Sequence, residues 1–446
     1  NSMKKVLILA YDFPPYVSVG GLRPYAWYNY LKEFGVEPIV VTRQWGNTHG
    51  NRLDYISAGS SKQSIVEVSH CGKIIRTPYK PNFANRLMLK HGDNRYRLLR
   101  KSISAYYEFA QFLLPIGPKI ELYKAAKHFL KNNQVDAIIA TGDPFILFRY
   151  ASKLSSTFNI PWIADYRDPW SHNEEAKKTM IQKKWNTYFE KKTVSTASHI
   201  STVSKFVHSK IDTLIPNKPF SISPNGYDTL AIDKIKNIKQ NEGELCISFV
   251  GTIYNWHPVE SFLRVANEVV TEQPEAKIRF KFYGTNLTDE LNSMVSEQFP
   301  NLKAHVFITP KMQNQELLEK LASDHVMILF NYYSYMGTKI FDYLGIRRKI
   351  ILCYENDPEA NSLKQKYYHV DESGSESKQL QADLIKQTNS GIIVKDSQHL
   401  RQVLQDLYVE FQATGQIACN SHDVEQYSRK IQVERLAEII KGIAAI

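Results

Sequence analysis

The sequence has few of the features that mark several common protein classes. Its four cysteines, Cys71, Cys246, Cys353 and Cys419, are widely separated, and none belongs to a C-x-x-C pair. This spacing indicates neither a disulfide framework nor a zinc site, and it is typical of a reducing compartment. No apolar run approaches the roughly 20 residues that a membrane-spanning helix requires. We therefore expect a cytoplasmic globular protein.

Catalytic signatures of fixed spacing are also missing. Neither G-x-S-x-G nor G-x-x-x-x-G-K-[ST] occurs, so hydrolase and P-loop interpretations lack their markers. The glycine pair Gly20-Gly21 is not a G-x-G-x-x-G fingerprint, so a dinucleotide site is not indicated. Histidines and carboxylates show no metal-ligand spacing. We expect neither a bound metal nor another cofactor.

The pattern that is present is an alternation of short apolar runs with amphipathic stretches along 446 residues. This rhythm predicts parallel sheets flanked by helices, in two doubly wound, Rossmann-like domains that face each other across a cleft. A polar, lysine-rich segment, 229–244, predicts a linker between a first domain over 1–228 and a second over 245–426. Apolar residues at three- and four-residue spacing predict an amphipathic terminal helix within 427–446.

The predicted elements follow from the same alternation. Predicted strands span 6–11, 38–42, 135–141, 161–165, 199–203 and 221–223, and then 246–250, 278–283, 305–308, 326–330, 349–353 and 391–394. Predicted helices of the first half span 22–34, 119–132, 146–156, 174–197 and 205–214. A polar insertion at 369–390 predicts a surface loop with some helix.

The formal net charge of +11 is concentrated in one region. Residues 73–131 contain thirteen Lys and Arg against three acidic residues, interleaved with aromatic and aliphatic side chains. A solvated helical surface and a face that meets anionic lipid head groups on the inner side of a membrane are both consistent with this pattern. Nucleic acid is a weaker third interpretation, because no recognition motif accompanies the charge.

Loops that directly follow predicted strands contain the candidate site residues, since ligands bind at that edge of open α/β sheets. Asp165, Arg167 and Asp168 follow one strand, where three charges require either pairing or a function. An ion pair of Arg167 with Asp165 or Asp168 is the structural alternative. In the second half, a helix beginning near Gly337 would offer free N–H groups to a phosphate.

On that helix, Lys339 would add positive charge to the phosphate site. Asp342 lies three residues on, hence on the same helical face, and its carboxylate suits two ribose hydroxyls. The alternative is a surface Lys–Asp pair that contributes only a few tenths of a kcal/mol to stability.

Four segments in order resemble the family 4 glycosyltransferases of GT-B architecture. They are YDFPPYVSVGGLR at 11–23, STVSKF with SPNGYD at 201–206 and 223–228, FVGTIY at 249–254, and GTKIFDYLGIRRKII at 337–351. The resemblance implies two Rossmann-like domains with a terminal helix crossing back to the first. It also implies retaining, metal-independent hexosyl transfer from a nucleotide sugar to a glycan or lipid-linked acceptor.

The resemblance assigns roles by position. Arg167, Asp168 and Lys339 are the expected catalytic residues, and Arg23 and Asp143 are expected on the acceptor side. The expected donor-binding residues are Gly20, Gly21, Gly251, Thr252, Gly284, Thr309, Lys311, Gly337, Thr338, Lys339 and Asp342.

The chain departs from the family pattern at three places. Ser334 occupies the first position of the family's acidic pair, Asp342 replaces the more common Glu, and the loop GTIYNWHP at 251–258 lacks the usual Arg and Lys. Two other functions therefore stay open: a nucleotide-sugar epimerase or hydrolase on the same fold, and a non-catalytic nucleotide-sugar-binding subunit.

Overall fold

The computed structural model describes residues 2–46, 52–173 and 177–445. The described chain divides into two compact units. The first contains residues 1–224 together with 429–446, and the second contains 225–428. The start of the helix predicted over 174–197 falls at 174–176, outside the described residues.

The first unit is built on a mostly parallel sheet with strand order β3-β4-β2-β1-β5-β6-β7-β8. Only β3 runs antiparallel to its neighbour β4. The strands are β1 Lys4–Leu9, β2 Val36–Arg43, β3 Ile65–Val68, β4 Lys73–Thr77, β5 Ala137–Gly142, β6 Trp162–Tyr166, β7 His199–Thr202 and β8 Phe220–Ile222. The central strands read as continuous apolar runs because helices cover both faces of the sheet.

The helices of the first unit are α1 Val19–Tyr30, α2 Arg52–Ile56, α3 Phe83–His91, α4 Arg97–Ala110, α5 Ile120–Asn132, α6 Ile146–Phe158, α7 Met180–Val194 and α8 Lys205–Asp212. A short 3-10 helix, Leu31–Phe34, follows α1.

The second unit has an all-parallel sheet with strand order β11-β10-β9-β12-β13-β14. Its strands are β9 Leu245–Val250, β10 Ile278–Tyr283, β11 Val306–Thr309, β12 Val326–Phe330, β13 Lys349–Cys353 and β14 Gly391–Val394. Its helices are α9 Thr229–Asp233, α10 Val259–Glu272, α11 Thr288–Gln298, α12 Asn314–Ser323, α13 Lys339–Ile346, α14 Pro358–Tyr367, α15 Leu380–Thr388 and α16 Ser397–Thr414. Two apolar cores lie on the two faces of the sheet.

The terminal helix α17, Arg429–Ile443, belongs to the first unit. Its side chains Val433, Leu436 and Ile440 are buried in the core that also contains residues of α1 and β1. Lys430 forms an ion pair with Glu33 at 2.7 Å. The predicted return of the chain to its first domain is confirmed.

The segment predicted as a linker, 229–244, is part of the second unit, and the boundary falls before Asn225. Within it α9 forms, and Ala231 and Ile235 are buried in one of that unit's cores. The many lysines of the segment led to its prediction as a linker. Its apolar residues Ala231 and Ile235 are nevertheless four positions apart, which is the spacing of one helix face.

Strands β3 and β4 are absent from the predicted elements. All four residues of β3 are exposed at the sheet edge, so its sequence lacks the alternation of a half-buried strand. No helix among the described residues is long and apolar enough to cross a bilayer.

Candidate active site

Most of the predicted site residues lie in loops at the carboxyl ends of the parallel strands, where ligands of α/β sheets bind. In the first unit these are the loops after β1, β5 and β6. In the second unit, considered by itself, they are the loops after β9, β10, β11 and β12.

Arg23 and Asp165 form a buried ion pair in the first unit. The distance from Arg23 Nη2 to Asp165 Oδ1 is 2.6 Å, and the two side chains are 6% and 0% exposed. Thr141 Oγ1 donates to Asp165 Oδ2 at 2.8 Å, and Arg23 Nη1 donates to the carbonyl of Ser223 at 2.6 Å. These bonds satisfy both charges. Arg23 is therefore a buried, paired residue whose acceptor-side role stays a prediction, and Asp165 pairs with Arg23 rather than with Arg167.

Arg167 lies at the end of β6, against Gly20. A β-carbon at residue 20 would lie 1.8 Å from Arg167 Nη1 and 2.9 Å from Asp12 Oδ2. A larger residue there would displace the guanidinium. Arg167 Nε donates to the carbonyl of Gly142 at 3.1 Å, and Nη2 donates to the carbonyl of Asp143. The predicted residues Gly20, Arg167 and Asp143 are thus brought together, and Gly20 makes room for Arg167.

The carboxylates of Asp12 and Asp168 both interact electrostatically with Arg167 and with Asp143. Burial raises the pKa of Asp168, Arg167 opposes that rise, and Asp143 adds to it. Burial also raises the pKa of Asp12, while a 2.7 Å hydrogen bond from Ser18 Oγ and the charge of Arg167 lower it. Asp12 Oδ1 is buried and has no hydrogen-bond partner among the described residues. Such a cluster can bind sugar hydroxyls and can exchange a proton.

In the second unit, Gly337 and α13 form the predicted helix start. Gly337 has φ of +71°, a left-handed conformation that favours glycine. Helix α13 begins at Lys339 after the N-cap Thr338, and no side chain caps it. Its first-turn N–H groups and helix dipole suit a phosphate group.

Asp342 and Lys339 lie on the same face of α13, as predicted. Lys339 Nζ lies 3.4 Å from Asp342 Oδ2, with the two side chains 33% and 17% exposed. The ion pair itself is compatible with both interpretations. The Asp342 carboxylate is partly exposed and lies in the first turn of an uncapped helix, which leaves it accessible to the hydroxyls of a ligand.

Three further predicted residues meet across the ends of neighbouring strands. The Gly284 N–H donates to the Thr309 carbonyl at 2.9 Å, and a β-carbon at residue 284 would lie 3.4 Å from Lys311 Cα. On the next strand, Gly251 has φ of +95° and leaves open space where a β-carbon would be. Thr252 follows it and is exposed. The backbone is therefore open to close ligand approach beside Gly251.

His257 in the same loop was not predicted as a site residue. It is 4% exposed, and its Nδ1 accepts a hydrogen bond from the Tyr254 N–H at 3.1 Å. Burial lowers the pKa of His257 to about 3, so the ring is neutral and its proton is on Nε2. That nitrogen is buried without a hydrogen-bond partner in the part of the chain that the structure describes. The loop lacks Arg and Lys but contains this neutral donor.

Glu372 was also missed. It comes from the polar insertion at 369–390 and accepts a 2.6 Å hydrogen bond from Ser334 Oγ, which is buried. Lys364 donates to its other oxygen at 3.1 Å. A carboxylate is therefore present beside Ser334, although the residue at position 334 is not itself acidic. No local signal could have shown this, because the two residues are 38 positions apart.

The polar insertion also makes hydrogen bonds to the loop that follows β12. Gln381 donates to the Met336 carbonyl at 3.0 Å and accepts from the Tyr332 N–H at 3.0 Å. Helix α15 confirms the predicted helical part, and its buried residues show that it is more than a surface loop. Among the described residues, no group of three or more His, Cys, Asp or Glu side chains could hold a metal ion.

The chain resembles solved structures over almost its full length. A sucrose-phosphate synthase from Thermosynechococcus elongatus superposes with a TM-score of 0.53 at 15% identity, covering 99% of this chain and 96% of that one. A UDP-forming α,α-trehalose-phosphate synthase from Burkholderia xenovorans, in complex with glucose-6-phosphate, gives 0.57 at 10% identity, covering 98% and 100%.

An E. coli structure described as trehalose-6-phosphate bound with UDP-2-fluoro glucose gives 0.51 at 10% identity, covering 99% and 97%. The predicted fold is confirmed. It is the two-domain α/β architecture of these glycosyl-transferring enzymes. At these identities the likeness establishes the fold alone, and the relation to glycosyltransferase family 4 stays a prediction.

Comparison by sequence gives no further relative. No protein-family model matches the chain. No curated protein matches it either.

Proposed function

We propose that the protein is a glycosyltransferase that moves a hexose from a nucleotide-sugar donor to an acceptor. The observation that supports this most directly is the strand-end edge of the second unit. There Gly251 and Gly284 have positive φ, the helix start at Lys339 is uncapped, and Asp342 lies in the first turn of that helix. Open backbone, a helix dipole and a carboxylate suit a diphosphate and a ribose.

Charge stabilisation of the departing nucleotide is the main chemical requirement. The N-terminus of α13 and Lys339 would stabilise the negative charge that develops on the diphosphate. Arg167 and Asp168 would bind the transferred sugar. We propose retention of configuration without a bound metal, with the leaving phosphate accepting the proton of the acceptor hydroxyl.

The donor class is proposed from the comparisons, and the acceptor class is proposed from the resemblance to family 4 glycosyltransferases. One of the similar structures is named as a UDP-forming synthase, and another contains UDP-2-fluoro glucose, so UDP-hexoses are the first donors to test. We propose a glycan or lipid-linked acceptor that meets the first unit near Asp143. A cytoplasmic enzyme at the inner face of a membrane would fit that acceptor.

The test is to incubate the protein with a nucleotide sugar that it consumes, together with candidate acceptors, and to analyse the products by NMR. A glycosylated acceptor with the donor's anomeric configuration is expected. Free nucleotide with free sugar, and no glycosylated acceptor, would instead identify a hydrolase. An isomerised nucleotide sugar would identify an epimerase. Donor binding without any product across the acceptor panel would favour a non-catalytic binding subunit.

A further inference from the structure

Helices α3 and α4 in the first unit leave much of their apolar surface in solvent. Leu98 is 80% exposed and Tyr106 is 57% exposed. The other large exposed apolar side chains of this region are Phe83, Leu89, Tyr96, Leu99, Leu113 and Leu114. Arg100 is the one buried residue of α4, and it donates to the carbonyls of Arg95 and Asp93. So many large exposed apolar side chains on two adjacent helices are typical of an interaction site.

The charge beside these side chains is almost wholly positive. The exposed basic residues are Arg86, Lys90, Arg95, Arg97 and Lys101. The acidic residues between 83 and 114 are Asp93, which pairs with Arg100 at 3.1 Å, and Glu108. Apolar and basic groups together match the boundary of an anionic bilayer, where each base near the surface contributes about 1 kcal/mol.

Helix α7 has the same character, although it lies far away in sequence. Met180 and Ile181 are 74% and 75% exposed. The exposed lysines of the helix are Lys183, Lys184, Lys191 and Lys192. Its one carboxylate, Glu190, is buried and accepts hydrogen bonds from Ser171. No exposed carboxylate on α7 therefore opposes its positive charge.

The two helices are neighbours in space. The rings of Phe109 on α4 and Trp185 on α7 lie 5.6 Å apart, and those of Phe112 and Phe189 lie 5.1 Å apart. A pocket of about 280 Å3 opens between them and is also lined by Asp143, at the end of β5. The surface around α4 and α7 therefore surrounds a pocket that reaches the candidate active-site edge of the first unit.

We infer that α3, α4 and α7 form one face that docks on an anionic phospholipid bilayer, with the pocket between α4 and α7 at the level of the lipid head groups. This inference rests on the proposed function and specifies it, because an acceptor carried by a lipid would then meet the first unit from the membrane. The exposed aliphatic side chains favour a bilayer over nucleic acid, which offers no apolar phase to bury them.

The test is co-sedimentation with vesicles of phosphatidylcholine, alone or mixed with phosphatidylglycerol, using the full chain without donor. We expect binding to the mixed vesicles that weakens with salt, because screening acts on exposed charges. Leu98→Glu and Ile181→Glu should each weaken binding at least about tenfold, since each removes buried apolar area and adds repulsive charge. Val68→Glu is the matched control, because Val68 on β3 is 74% exposed.

The inference is overturned if the wild type binds neutral vesicles as well as mixed ones, or binds neither. It is also overturned if Leu98→Glu and Ile181→Glu bind the mixed vesicles as well as Val68→Glu does. If Lys101→Gln weakens binding to polyanions while Leu98→Glu has no effect, the face is a nucleic-acid surface instead. Donor binding, measured separately without vesicles, shows whether the proposed function fails on its own and whether each variant is folded.

The orientation is tested by fluorescence quenching with a nitroxide attached to the lipid head group. The indole of Trp185 lines the pocket, so its emission should be quenched on docking. Trp185→Phe keeps an aromatic contact for Phe109 and should lose part of the quenching while vesicle binding persists, since Trp170 lines the same pocket. Vesicle binding of the wild type without any tryptophan quenching would place the pocket away from the bilayer and refute the proposed orientation.

Discussion

Replacing Asp342 by asparagine keeps the size of the side chain and removes its charge. If Asp342 binds the ribose, it makes charge-assisted hydrogen bonds to hydroxyls, each contributing about 1.5–3 kcal/mol. An amide can still make neutral bonds, so part of that interaction survives. We expect donor affinity to fall at least about tenfold, which corresponds to roughly 1.4 kcal/mol.

The effect on folding should be much smaller. Asp342 pairs with Lys339 at 3.4 Å, and the lysine is 33% exposed. A solvent-screened pair at this helical spacing contributes about 0.3–0.5 kcal/mol. The Tm of the unliganded Asp342→Asn protein should therefore stay close to that of the wild type. Loss of donor affinity without loss of stability separates a ligand contact from a surface ion pair.

Isothermal titration with the donor is the assay, together with a 2′,3′-dideoxyribose analogue that lacks both hydroxyls. The analogue should bind the wild type and Asp342→Asn almost equally. Glu121→Gln is the matched control, because Glu121 forms an i,i+3 pair with Lys124 at 3.1 Å in the first unit. The reasoning is refuted if Asp342→Asn binds the intact donor as well as Glu121→Gln does.

Three other substitutions test the remaining assignments. Arg167→Ala should lower kcat much more than it weakens binding of the free nucleotide; unchanged activity per folded molecule would make Arg167 structural. Arg23→Met should destabilise the protein by about 3–5 kcal/mol in denaturant titration, because Asp165 becomes an unpaired buried charge. A smaller loss would contradict a desolvated pair. His257 has a folded pKa of about 3, below its unfolded value, so its contribution is complete above about pH 6.5 and is lost as pH falls toward 3. His257→Asn should therefore flatten the fall in unfolding free energy with pH over that window, and an unchanged slope would argue against the buried neutral ring.

Strands with continuous apolar runs could be predicted closely. The predicted spans 326–330 and 349–353, which are almost wholly apolar, match β12 and β13 to the residue. The span 278–283, in which Arg279 and Lys281 alternate with apolar residues, matches β10, and 391–394 matches β14. Burial on both faces of a parallel sheet requires such runs, and turn residues end them sharply. Edge strand β3 was not predicted, because its four residues are all exposed and its sequence, IVEV, is neither a continuous apolar run nor a regular alternation.

Local site features were also predictable. The helix start after Gly337 and the Lys339–Asp342 pair follow from spacing along the chain alone. Contacts between distant segments were not. Arg23 forms an ion pair with Asp165, which is 142 positions away in the sequence. One sequence cannot show whether Asp165 pairs with Arg23 or with the neighbouring Arg167. The side chain of Glu372 reaches Ser334 only because the insertion folds back on the loop after β12.

Binding of a nucleotide sugar is measured most directly by the thermal unfolding of the wild-type protein against a donor panel that begins with UDP-hexoses. A ligand that binds only the folded state stabilises it by about 2.7 kcal/mol at a hundred times its Kd. We predict that at least one nucleotide sugar raises Tm with increasing concentration, and that the same sugar without the nucleotide does not. If no nucleotide sugar in the panel raises Tm, the second unit is not a donor-binding domain and the proposed glycosyl transfer is contradicted.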